Sequence, residues 1–381
     1  MKQGWEIKKL GEVATYVNGY AFKPEHWGAT GVPIIRIQNL NNLNAEFNYC
    51  ESDIPQKFIV ENGDILISWS ASLGVYEWNR GKAYLNQHIF KVVFDKINIS
   101  KYFLKYAVSA KLNEMLKDAH GATMKHIVKS DFDNTTIPYP PLPEQEKIVE
   151  ELDCLSGVIE KKREQLKELD ALAQSIFYTM FGDPITNEKG WEVDRLGNLC
   201  DISSSKRIYA HEYCDNGIPF YRGKEISEKS KGNDISVELY ISEERYNELK
   251  NKFGVPQIGD ILLTAVGTIG NIWVVDSCTP FYFKDGNVLW LQAKENINPI
   301  YFKTLLYNLI DKYKESMANG CAYSALTIVN LKEMKTNKVP YTLQQEFADK
   351  IALIEKQKQL IKESIAQTEE LFNSRMAYYF N

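Results

Sequence analysis

The sequence predicts a mixed α/β fold made of two copies of one domain, each followed by a long α-helix. The segment GWEIKKLG at 4–11 returns as GWEVDRLG at 190–197, and GDIL at 63–66 returns unchanged at 259–262. A seam of residues spaced alternately three and four apart runs through 148–180 and returns at 347–379. A repeat of this length is too long for a solenoid unit and indicates a duplicated module. The seam indicates two long helices, and a duplicated module suggests a target with two halves.

Length and composition exclude several classes of protein. With 381 residues, of which 44% are hydrophobic and 25% charged, the chain can form two cores and is neither disordered nor fibrous. The first residues lack a signal peptide, and the longest apolar run, 261–275, is interrupted by glycines and too short for a membrane span. The six cysteines are far apart and form no Cys-x-x-Cys pair, which is typical of reduced thiols. We therefore expect a soluble, cytoplasmic protein without a disulfide framework or a zinc site.

The net charge of −5 is unevenly distributed along the chain. Segment 146–182 has 5 basic and 8 acidic residues, and segment 346–381 has 5 basic and 6 acidic residues, which gives charges of −3 and −1. The rest of the chain is close to neutral, so a DNA-binding surface would have to be a local patch. We expect weak binding of nucleic acid unless a partner adds positive charge.

The first part of each copy, about 1–143 and 187–342, contains short runs of β-branched and aromatic residues separated by Gly, Pro and Asn. Such runs predict strands in a mixed α/β domain with long loops. A short helix is expected after them, at Lys101–Asp118 and at Pro299–Ala318. The predicted strands are Ile34–Ile37, Asp64–Trp69, Phe90–Phe94, Ile261–Val266 and Val288–Leu291.

The second part of each copy is a long helix with a coiled-coil seam of about five heptads. The seam residues are Ile148, Leu152, Leu155, Ile159, Lys162, Leu166, Leu169, Ala173, Ile176 and Met180, and then Phe347, Ile351, Ile354, Lys358, Ile361, Ile365, Thr368, Phe372, Arg375 and Tyr379. The seam lysines, Lys162 and Lys358, can fix the register of a helix pair. Alternatively, the helices belong to the cores of separate domains, but both are polar outside the seam, which favours a partner helix.

The linker limits how the helices can pair. Nine residues separate Phe181 from Trp191 and span at most roughly 30 Å, whereas a helix of about 36 residues is on the order of 54 Å long. Helices that pair with each other must then be antiparallel, with one module at each end, which predicts a dumbbell with an approximate two-fold axis. The expected boundaries are 1–143 and 191–342 for the modules, 144–182 and 343–381 for the helices, and 183–190 for the linker.

An inverted pair of related modules matches a DNA duplex, whose strands are also related by two-fold axes. The two copies differ most between 36–61 and 222–257, where the second copy is ten residues longer. Similar frameworks with different loops predict two different half-sites, and hence an asymmetric DNA target in two parts.

Several motifs recur at equivalent places in the two copies. PPLPEQE at 140–146 leads into the first long helix, and a degenerate copy, LQQE at 343–346, leads into the second. Together with the two GWE starts and the two GDIL turns, these motifs resemble the specificity subunit of type I restriction–modification enzymes, and the resemblance covers the whole chain. It implies two target-recognition domains that each read half of an interrupted DNA sequence, with paired helices that set the spacing. The chain departs from the family pattern at the second PLPEQ motif, and this difference concerns only the way in which the second long helix begins.

The resemblance also implies where the chemistry resides. The specificity subunit is not catalytic and needs no cofactor. Two modification subunits bring adenine methylation with S-adenosylmethionine, and restriction subunits, two in a complex that cuts, bring translocation and cleavage with ATP and Mg. The expected partners are therefore double-stranded DNA and these subunits, and no membrane.

The motifs of an autonomous enzyme are missing from the sequence. The nearest match to the Asn/Asp-Pro-Pro-Tyr motif of adenine methyltransferases is 298–301, Asn-Pro-Ile-Tyr, which fits an Asn N-cap followed by Pro in the first turn of a helix. Segment 267–270, Gly-Thr-Ile-Gly, is too short for a dinucleotide fingerprint, and no ATP-binding loop motif occurs. The five histidines lack metal-ligand spacing. We therefore expect no catalytic and no metal-binding residue.

Candidate DNA-binding residues are the polar, basic and aromatic side chains expected in loops between strands. Arg or Lys suits guanine, and Asn or Gln suits adenine, in the major groove, while lysines more often bind phosphate. Arg36 and Arg222 follow matching strands and are favoured for this reason. The candidates are Lys23, His26, Trp27, Arg36, Gln38, Asn39, Arg80, Lys82, Asn86, Gln87, His88, Lys125 and Lys129 in the first module, and Lys206, Arg207, Tyr209, Arg222, Lys224, Lys229, Lys231 and Lys284 in the second.

Two other functions stay open at this point. The chain could be the specificity subunit of a related, fused restriction system of the type IIB kind, in which the same fold serves a different nuclease. It could also be a coiled-coil scaffold without DNA contact, although loops rich in Arg, Gln and Asn argue against this. A scaffold would leave no sequence-specific footprint with any partner.

Overall fold

The structure is a computed structural model that describes residues 4–70, 72–118, 128–318 and 326–381. It divides into two compact units. The first comprises Met1–Glu164 with Lys362–Asn381, and the second comprises Gln165–Ile361. Each unit therefore contains one module together with a part of each long helix.

The first module consists of short strands and short helices. Its strands are β1 (Glu6–Lys9), β2 (Thr15–Asn18), β3 (Val32–Ile35), β4 (Asn48–Cys50), β5 (Ile59–Val60), β6 (Ile65–Ser68), β7 (Gly74–Glu77), β8 (Ala83–Leu85), β9 (Ile89–Val93) and β10 (Thr136–Tyr139). Its helices are α1 (Leu10–Val13), α2 (Ile37–Asn41), α3 (Lys101–Asp118) and α4 (Lys129–Asn134), and the long helix α5 (Leu142–Phe181) follows.

The second module is built in the same way. Its strands are β11 (Glu192–Arg195), β12 (Cys200–Ser204), β13 (Tyr213–Cys214), β14 (Ile218–Tyr221), β15 (Tyr240–Ile241), β16 (Ile261–Thr264), β17 (Ile272–Val274), β18 (Tyr282–Phe283), β19 (Val288–Ala293) and β20 (Lys335–Lys338). Its helices are α6 (Leu196–Leu199), α7 (Gly223–Ser230), α8 (Glu243–Phe253), α9 (Pro299–Ala318) and α10 (Ile328–Glu333), before the long helix α11 (Tyr341–Phe380).

The two modules share the ribbon, one four-stranded sheet and the parallel pair of the other sheet, and they differ in the outer strands of that other sheet. The first has a β1-β10 ribbon and sheets with strand orders β2-β9-β6-β7 and β4-β3-β8-β5. The second has a β11-β20 ribbon and sheets with orders β12-β19-β16-β17 and β13-β15-β14-β18. The pairs β3–β8 and β14–β18 are parallel, at equivalent places. The predicted duplication of a mixed α/β domain is confirmed.

Some predicted element boundaries are corrected by short helices. The strand expected at 34–37 ends at Ile35, because α2 begins at Ile37. The ten additional residues of the second copy accompany α8, whose N-cap Ser242 accepts a hydrogen bond from the backbone of Arg245 at 3.2 Å. The first module has only a 3-10 turn, Gln56–Phe58, and the short β5 in this region. Helices α3 and α9 have the predicted bounds.

The repeated GDIL motif forms the same turn in both modules. Its glycines, Gly63 and Gly259, have positive φ angles of 90° and 91°, which favour glycine. The aspartate that follows accepts a backbone hydrogen bond from three residues earlier, at 2.8 Å for Asp64 and 2.9 Å for Asp260. The turn thereby leads into the buried strands β6 and β16.

The seam faces of the long helices are packed within each unit, and every predicted seam residue is buried or half-buried. In the first unit, Glu151 accepts hydrogen bonds from Arg375 and Tyr379, and Lys162 contacts Thr368 at 3.4 Å. As the residue numbers rise along α5, those of their contacts on α11 decrease, so the two segments are antiparallel. In the second unit the aromatic rings of Phe177 and Phe347 lie 5.7 Å apart.

The second seam lysine belongs to the second unit. Lys358 forms an ion pair with Asp170 at 2.7 Å and another with Glu355 at 2.8 Å. Contacts at 170–358 and 177–347 again run in opposite directions along the two helices. Both units therefore contain the antiparallel pairing that the sequence predicts.

Candidate nucleic-acid interface

Loops from several strands meet at one edge of the first module. Strands β2 and β6 both end beside the start of β9. The parallel strands β3 and β8 end there too, because the backbone N–H of Asn86 donates to Ile35 at 3.3 Å and that of Tyr20 donates to Leu85 at 2.8 Å. We call residues 19–22, 36–39, 69–70 and 86–88 the first loop edge.

The equivalent strand ends meet in the second module. The backbone N–H of Lys284 donates to the carbonyl of Tyr221 at 2.9 Å, and the hydroxyl of Ser205 donates to the carbonyl of Phe283 at 2.6 Å. These bonds join the ends of β12, β14 and β18. We call residues 205–209, 222–225, 265–271 and 284–287 the second loop edge.

Arg36 lies at the first loop edge and is held by uncharged groups. Its guanidinium donates to the Asn48 side-chain oxygen at 3.2 Å and stacks over the Trp27 ring, with 5.1 Å to the ring centroid. It has no ion-pair partner among the described residues. Trp27 is 38% exposed. A positive charge and an aromatic face are therefore presented together, as in many nucleic-acid contacts.

Gln38 and Asn39 do not lie in a loop, as the sequence suggested, but in α2. Gln38 is exposed. Asn39 is only 1% exposed, and its amide group donates to the carbonyls of Ala45 and Glu46 at 3.2 and 3.0 Å. Its side-chain oxygen also accepts from the backbone of Arg36 at 3.0 Å. Asn39 thus shapes the loop edge and has no surface to offer to DNA.

Asn86, Gln87 and His88 form the half-buried turn between β8 and β9, at the first loop edge. The Gln87 amide nitrogen lies 3.3 Å from the Nε2 atom of His88. The His88 ring lies beside the ring of Trp69, with 5.6 Å between centroids. An amide group and an imidazole of this turn thus lie beside the indole of Trp69.

Three further candidates lie near the first loop edge. Lys23 is exposed, and its backbone N–H donates to the Nδ1 atom of His26 at 3.0 Å, which makes His26 the cap of a short turn. Lys129 begins α4, with its ammonium group 5.9 Å from the centroid of the Phe90 ring. It also pairs with Asp133 at 2.6 Å, so part of its charge is neutralised within the chain.

The backbone of Arg80 and Lys82 lies away from the first loop edge, although the Arg80 side chain reaches the carbonyl of Asn39, which belongs to that edge. Strand β7 ends opposite the start of β6, so the residues between β7 and β8 lie at the other end of the sheet. Arg80 donates to the carbonyls of Asn39 and Leu43 at 3.0 and 3.1 Å and stacks over Phe47, so it has a structural role. Lys82 is exposed at that end. Lys125 lies outside the described residues.

In the second module, the second loop edge contains Lys206, Arg207, Tyr209 and Lys284. Arg207 donates to the Asp285 carboxylate at 2.8 Å, and Lys284 lies 3.3 Å from the same group. Burial acts to raise the pKa of Asp285, but the bonds from Arg207 and Lys284 outweigh it and lower that pKa. Lys206 is exposed over Phe253 at 4.7 Å, and Tyr209 is 57% exposed.

Arg222 is surrounded by carboxylates. Its guanidinium contacts Glu225 at 2.9 Å and Glu238 at 2.7 Å, and Lys224 contacts Glu238 at 2.7 Å. Glu225 is 2% exposed. Burial acts to raise its pKa, but the bonds from Arg222 prevail and lower it. The bonds from Lys224 and Arg222 lower the pKa of Glu238 to about 2. The cluster is electrically neutral at any physiological pH.

Lys229 and Lys231 lie at the far end of α7 from Arg222. The Lys229 ammonium group lies 5.7 Å from the centroid of a Trp273 ring, and Lys231 forms an ion pair with Glu228 at 2.7 Å. Like Lys224, these residues belong to a helix or its cap and not to a loop between strands.

Three acidic residues in or beside the second loop edge were not predicted from the sequence. Asp285, Glu225 and Glu238 neutralise candidates that were selected for their positive charge. Glu225 could have been found from the sequence. In a helix, a Glu at the third position often accepts a hydrogen bond from the backbone N–H of the N-cap residue. Glu225 accepts such a bond from the N-cap Arg222 at 2.8 Å. Neither of the other two has a local sequence signal.

Other features concern catalysis and membranes. The Asn298 side-chain oxygen accepts backbone hydrogen bonds from Ile300 and Tyr301 at 2.9 and 3.4 Å, which confirms the helix-cap interpretation of the 298–301 segment. Within the described ranges, no group of three His, Cys, Asp or Glu side chains is placed to hold a metal ion. In the same part of the chain, no helix is both long and apolar enough to cross a bilayer.

Comparison with known proteins shows the family. The profile of the type I restriction modification DNA specificity domain matches the chain twice, at residues 2–171 and 188–370. The chain belongs to this family of DNA specificity proteins, which are the non-catalytic DNA-recognition components of restriction–modification complexes.

Relatives match over most of the chain. A Haemophilus influenzae protein, provisionally named a type I restriction enzyme specificity subunit, is 28% identical over 98% of this chain and 94% of its own length. The EcoBI specificity subunit of Escherichia coli is 25% identical over 88% of this chain and 75% of that subunit.

Solved structures share the fold. The S subunit of a type I restriction–modification system from M. genitalium matches with a TM-score of 0.53 and 16% identity, over 99% of this chain and 96% of that one. A chain from a study of complex assembly in the type I restriction–modification system matches with a TM-score of 0.60 and 17% identity, over 99% and 97% of the two chains.

Proposed function

We propose that this chain recognises an asymmetric DNA sequence in two parts, one with each module, on behalf of a type I restriction–modification complex. One observation carries this proposal: the same framework is present twice, but the two loop edges differ in chemistry. The first presents Arg36 with Trp27 and the amide groups of the 86–88 turn. The second presents the exposed side chains of Lys206 and Tyr209, together with Arg207 paired to Asp285. Two different edges would select two different half-sites.

The side chains at the loop edges suit the major groove. An arginine can bind guanine through two hydrogen bonds, and an amide can bind adenine in the same way. Exposed lysines such as Lys23 and Lys206 suit phosphate oxygens, which fix the position of a protein on the duplex without reading sequence. Since the chain as a whole is acidic, with a net charge of −5, tight binding would need positive charge from a partner.

The long helices would set the distance between the half-sites. Helices α5 and α11 are each 40 residues long, which corresponds to roughly 60 Å at the rise of an α-helix. Their antiparallel segments in both units support a helical spacer between two recognition domains. The unread gap in the target would then be a property of helix length.

The reaction would take place on partner subunits. Two modification subunits would bind to the chain and methylate adenine with S-adenosylmethionine, and two restriction subunits would add cleavage with ATP and Mg. The chain would use no cofactor of its own and would act in the cytoplasm. Its contribution is the choice of sequence.

Methylome sequencing tests this proposal. A host would express the chain with its modification subunit, and a matched host would express the modification subunit alone. We expect N6-methyladenine in a motif of two parts with a fixed gap, only when the chain is present. A continuous motif, or no new methylation despite a stable complex, would contradict the proposal.

A further inference from the structure

We infer that the two equivalent arginines have different roles: Arg36 contacts a base pair of the first half-site, whereas Arg222 positions α7 and does not read sequence. This inference rests on the proposed function, because it assigns residues within the two half-sites. The inference is drawn from the side-chain contacts of Arg36 and Arg222, which differ although the two residues occupy equivalent backbone positions.

The backbone positions are equivalent. Each arginine follows the strand that pairs in parallel in its module, β3 or β14, and directly precedes a short helix. The backbone N–H of each donates to the side chain three residues later, to Asn39 at 3.0 Å and to Glu225 at 2.8 Å. The two side chains therefore start from the same place on the two loop edges.

The partners of Arg222 keep it within the protein. Its guanidinium is bonded to Glu225 and Glu238, and Glu238 also binds Lys224, so two positive charges face two negative ones. A contact with a base would break these bonds and leave Glu225, which is 2% exposed, as a buried carboxylate without its cation. Such a loss is strongly unfavourable. Carboxylates at this place would also repel DNA phosphates.

The partners of Arg36 leave it able to bind DNA. Only Nη1 of its guanidinium donates to Asn48, whereas a guanidinium has five N–H donors. The guanidinium carbon Cζ lies over the Trp27 ring, 5.1 Å from the ring centroid. Such a contact reduces the freedom of the side chain, and the N–H groups that Asn48 does not bind are donors that can form two parallel hydrogen bonds with guanine.

The sequence differences between the two copies account for the change of role. The third residue of the short helix is Asn39 in the first copy and Glu225 in the second. Glu238 belongs to the 222–257 segment, in which the second copy is longer. An amide and an indole around one arginine are thus replaced by two carboxylates around the other.

The test is a methylome comparison of variants, each co-expressed with the modification subunit. We expect Arg36→Ala to relax one base pair of one half-site, with a roughly 10- to 100-fold loss of discrimination at that position. Arg36→Lys keeps the charge and the fold but loses the two parallel bonds, so it should relax the same position. Arg222→Ala should lower the melting temperature and leave both half-sites unchanged.

A structural arginine serves as the control. Arg80→Ala removes hydrogen bonds to the carbonyls of Asn39 and Leu43, so it should lower the melting temperature without altering the motif. The inference is overturned if Arg222→Ala relaxes a base pair, or if both Arg36 variants leave the two half-sites intact. If the wild-type chain yields no two-part motif, the proposed function itself is overturned. This outcome can be told apart from the two results for the variants, because it concerns the unmodified chain.

Discussion

The side-chain oxygen of Gln145 accepts a hydrogen bond from the backbone N–H of Ser100 at 2.8 Å, which joins the start of α5 to the start of α3. Gln344 makes the same bond with Asn298 at 2.9 Å and joins α11 to α9. Each glutamine also donates to a backbone carbonyl five residues earlier, at 2.8 Å in both copies. The glutamine of the PLPEQ motif is therefore a structural residue, and the degenerate second copy retains it.

This relationship predicts a large loss of stability when either glutamine is replaced. Gln145 is 0% exposed and Gln344 is 4% exposed. Leucine at either position would leave a buried N–H and a buried carbonyl without partners, at a cost of about 2–4 kcal/mol. Urea unfolding of Gln145→Leu and Gln344→Leu would measure this loss.

The control is Gln367→Leu, at an exposed position of α11, where we expect a change of about 0.5 kcal/mol or less. If the buried variants unfold at the same urea concentration as this control, the two glutamines do not hold the helix starts together.

The aspartates of the two GDIL turns predict opposite effects on stability when asparagine replaces them at pH 7. Burial raises the pKa of Asp260, although the N–H groups of Gln257 and Trp290 lower it in part. A carboxyl group whose pKa is raised by folding stabilises the protein at low pH, and this contribution falls as the pH rises from about 4 through the folded pKa. Asp260→Asn keeps an oxygen that can accept both bonds, so it should equal or exceed the wild-type stability at pH 7, by on the order of 1 kcal/mol or less.

Replacement of the equivalent Asp64 should have the opposite effect on stability at pH 7. It pairs with Lys91 at 2.6 Å, and both side chains are less than one quarter exposed. Asp64→Asn removes the charge that balances Lys91 and should destabilise the protein by about 1–2 kcal/mol. Thermal unfolding from pH 4 to 8 would compare the two variants. A shift in the same direction for both at pH 7 contradicts this explanation.

Glu238 neutralises positive charge beside the second loop edge, and we expect this to limit the affinity for DNA. Its pKa is lowered to about 2 by bonds from Lys224 and Arg222, so it is charged at any pH used for binding. Glu238→Gln should free positive charge for phosphate and raise non-specific DNA affinity roughly threefold to tenfold at low salt, with a salt dependence steeper by about one phosphate contact.

Fluorescence anisotropy with a DNA duplex at several salt concentrations would measure this effect. Glu228→Gln is the matched control, because Glu228 pairs with Lys231 at the other end of α7. An unchanged salt dependence for Glu238→Gln, or an equal change for both variants, would show that the carboxylate does not limit binding.

The seam lysine of α5 predicts a gain of stability on replacement. Lys162 contacts Ser364 and Thr368 across the helix pair and is half-buried. A leucine would pack in the seam and avoid burying a charge, so Lys162→Leu should stabilise the chain by about 1 kcal/mol and weaken the preference for one register. Urea unfolding and sedimentation velocity would follow stability and association. A clear loss of stability in a monomeric variant would mean that the polar contact contributes more than a packed leucine.

Long-range features of the fold could be predicted because they leave periodic or repeated signals. The long seams follow from helical periodicity, and the helices at 101–118 and 299–318 were expected at equivalent places in the two repeats. The short helices α2 and α7 could not be predicted in this way, because five to eight residues contain too few turns for a periodic pattern. The candidates on them were therefore taken for loop residues.

The candidate site was predictable only in part. Strand ends and basic or amide side chains were visible in the sequence, and several of them meet at the two loop edges. Two of the neutralising partners were not visible, because Glu238 lies 16 residues from Arg222 and Asp285 lies 78 residues from Arg207. Only the sheet pairing brings such residues together.

The measurement that tests the central claim most directly is the methylome of a chain with one heptad inserted into both α5 and α11. The insertion would lengthen the helical spacer by roughly 10 Å, the length of about three base pairs. We expect both half-sites to stay unchanged while the gap between them grows by about three base pairs. A motif whose half-sites change while its gap stays fixed would contradict the claim that two separate modules read the DNA at a distance set by the helices.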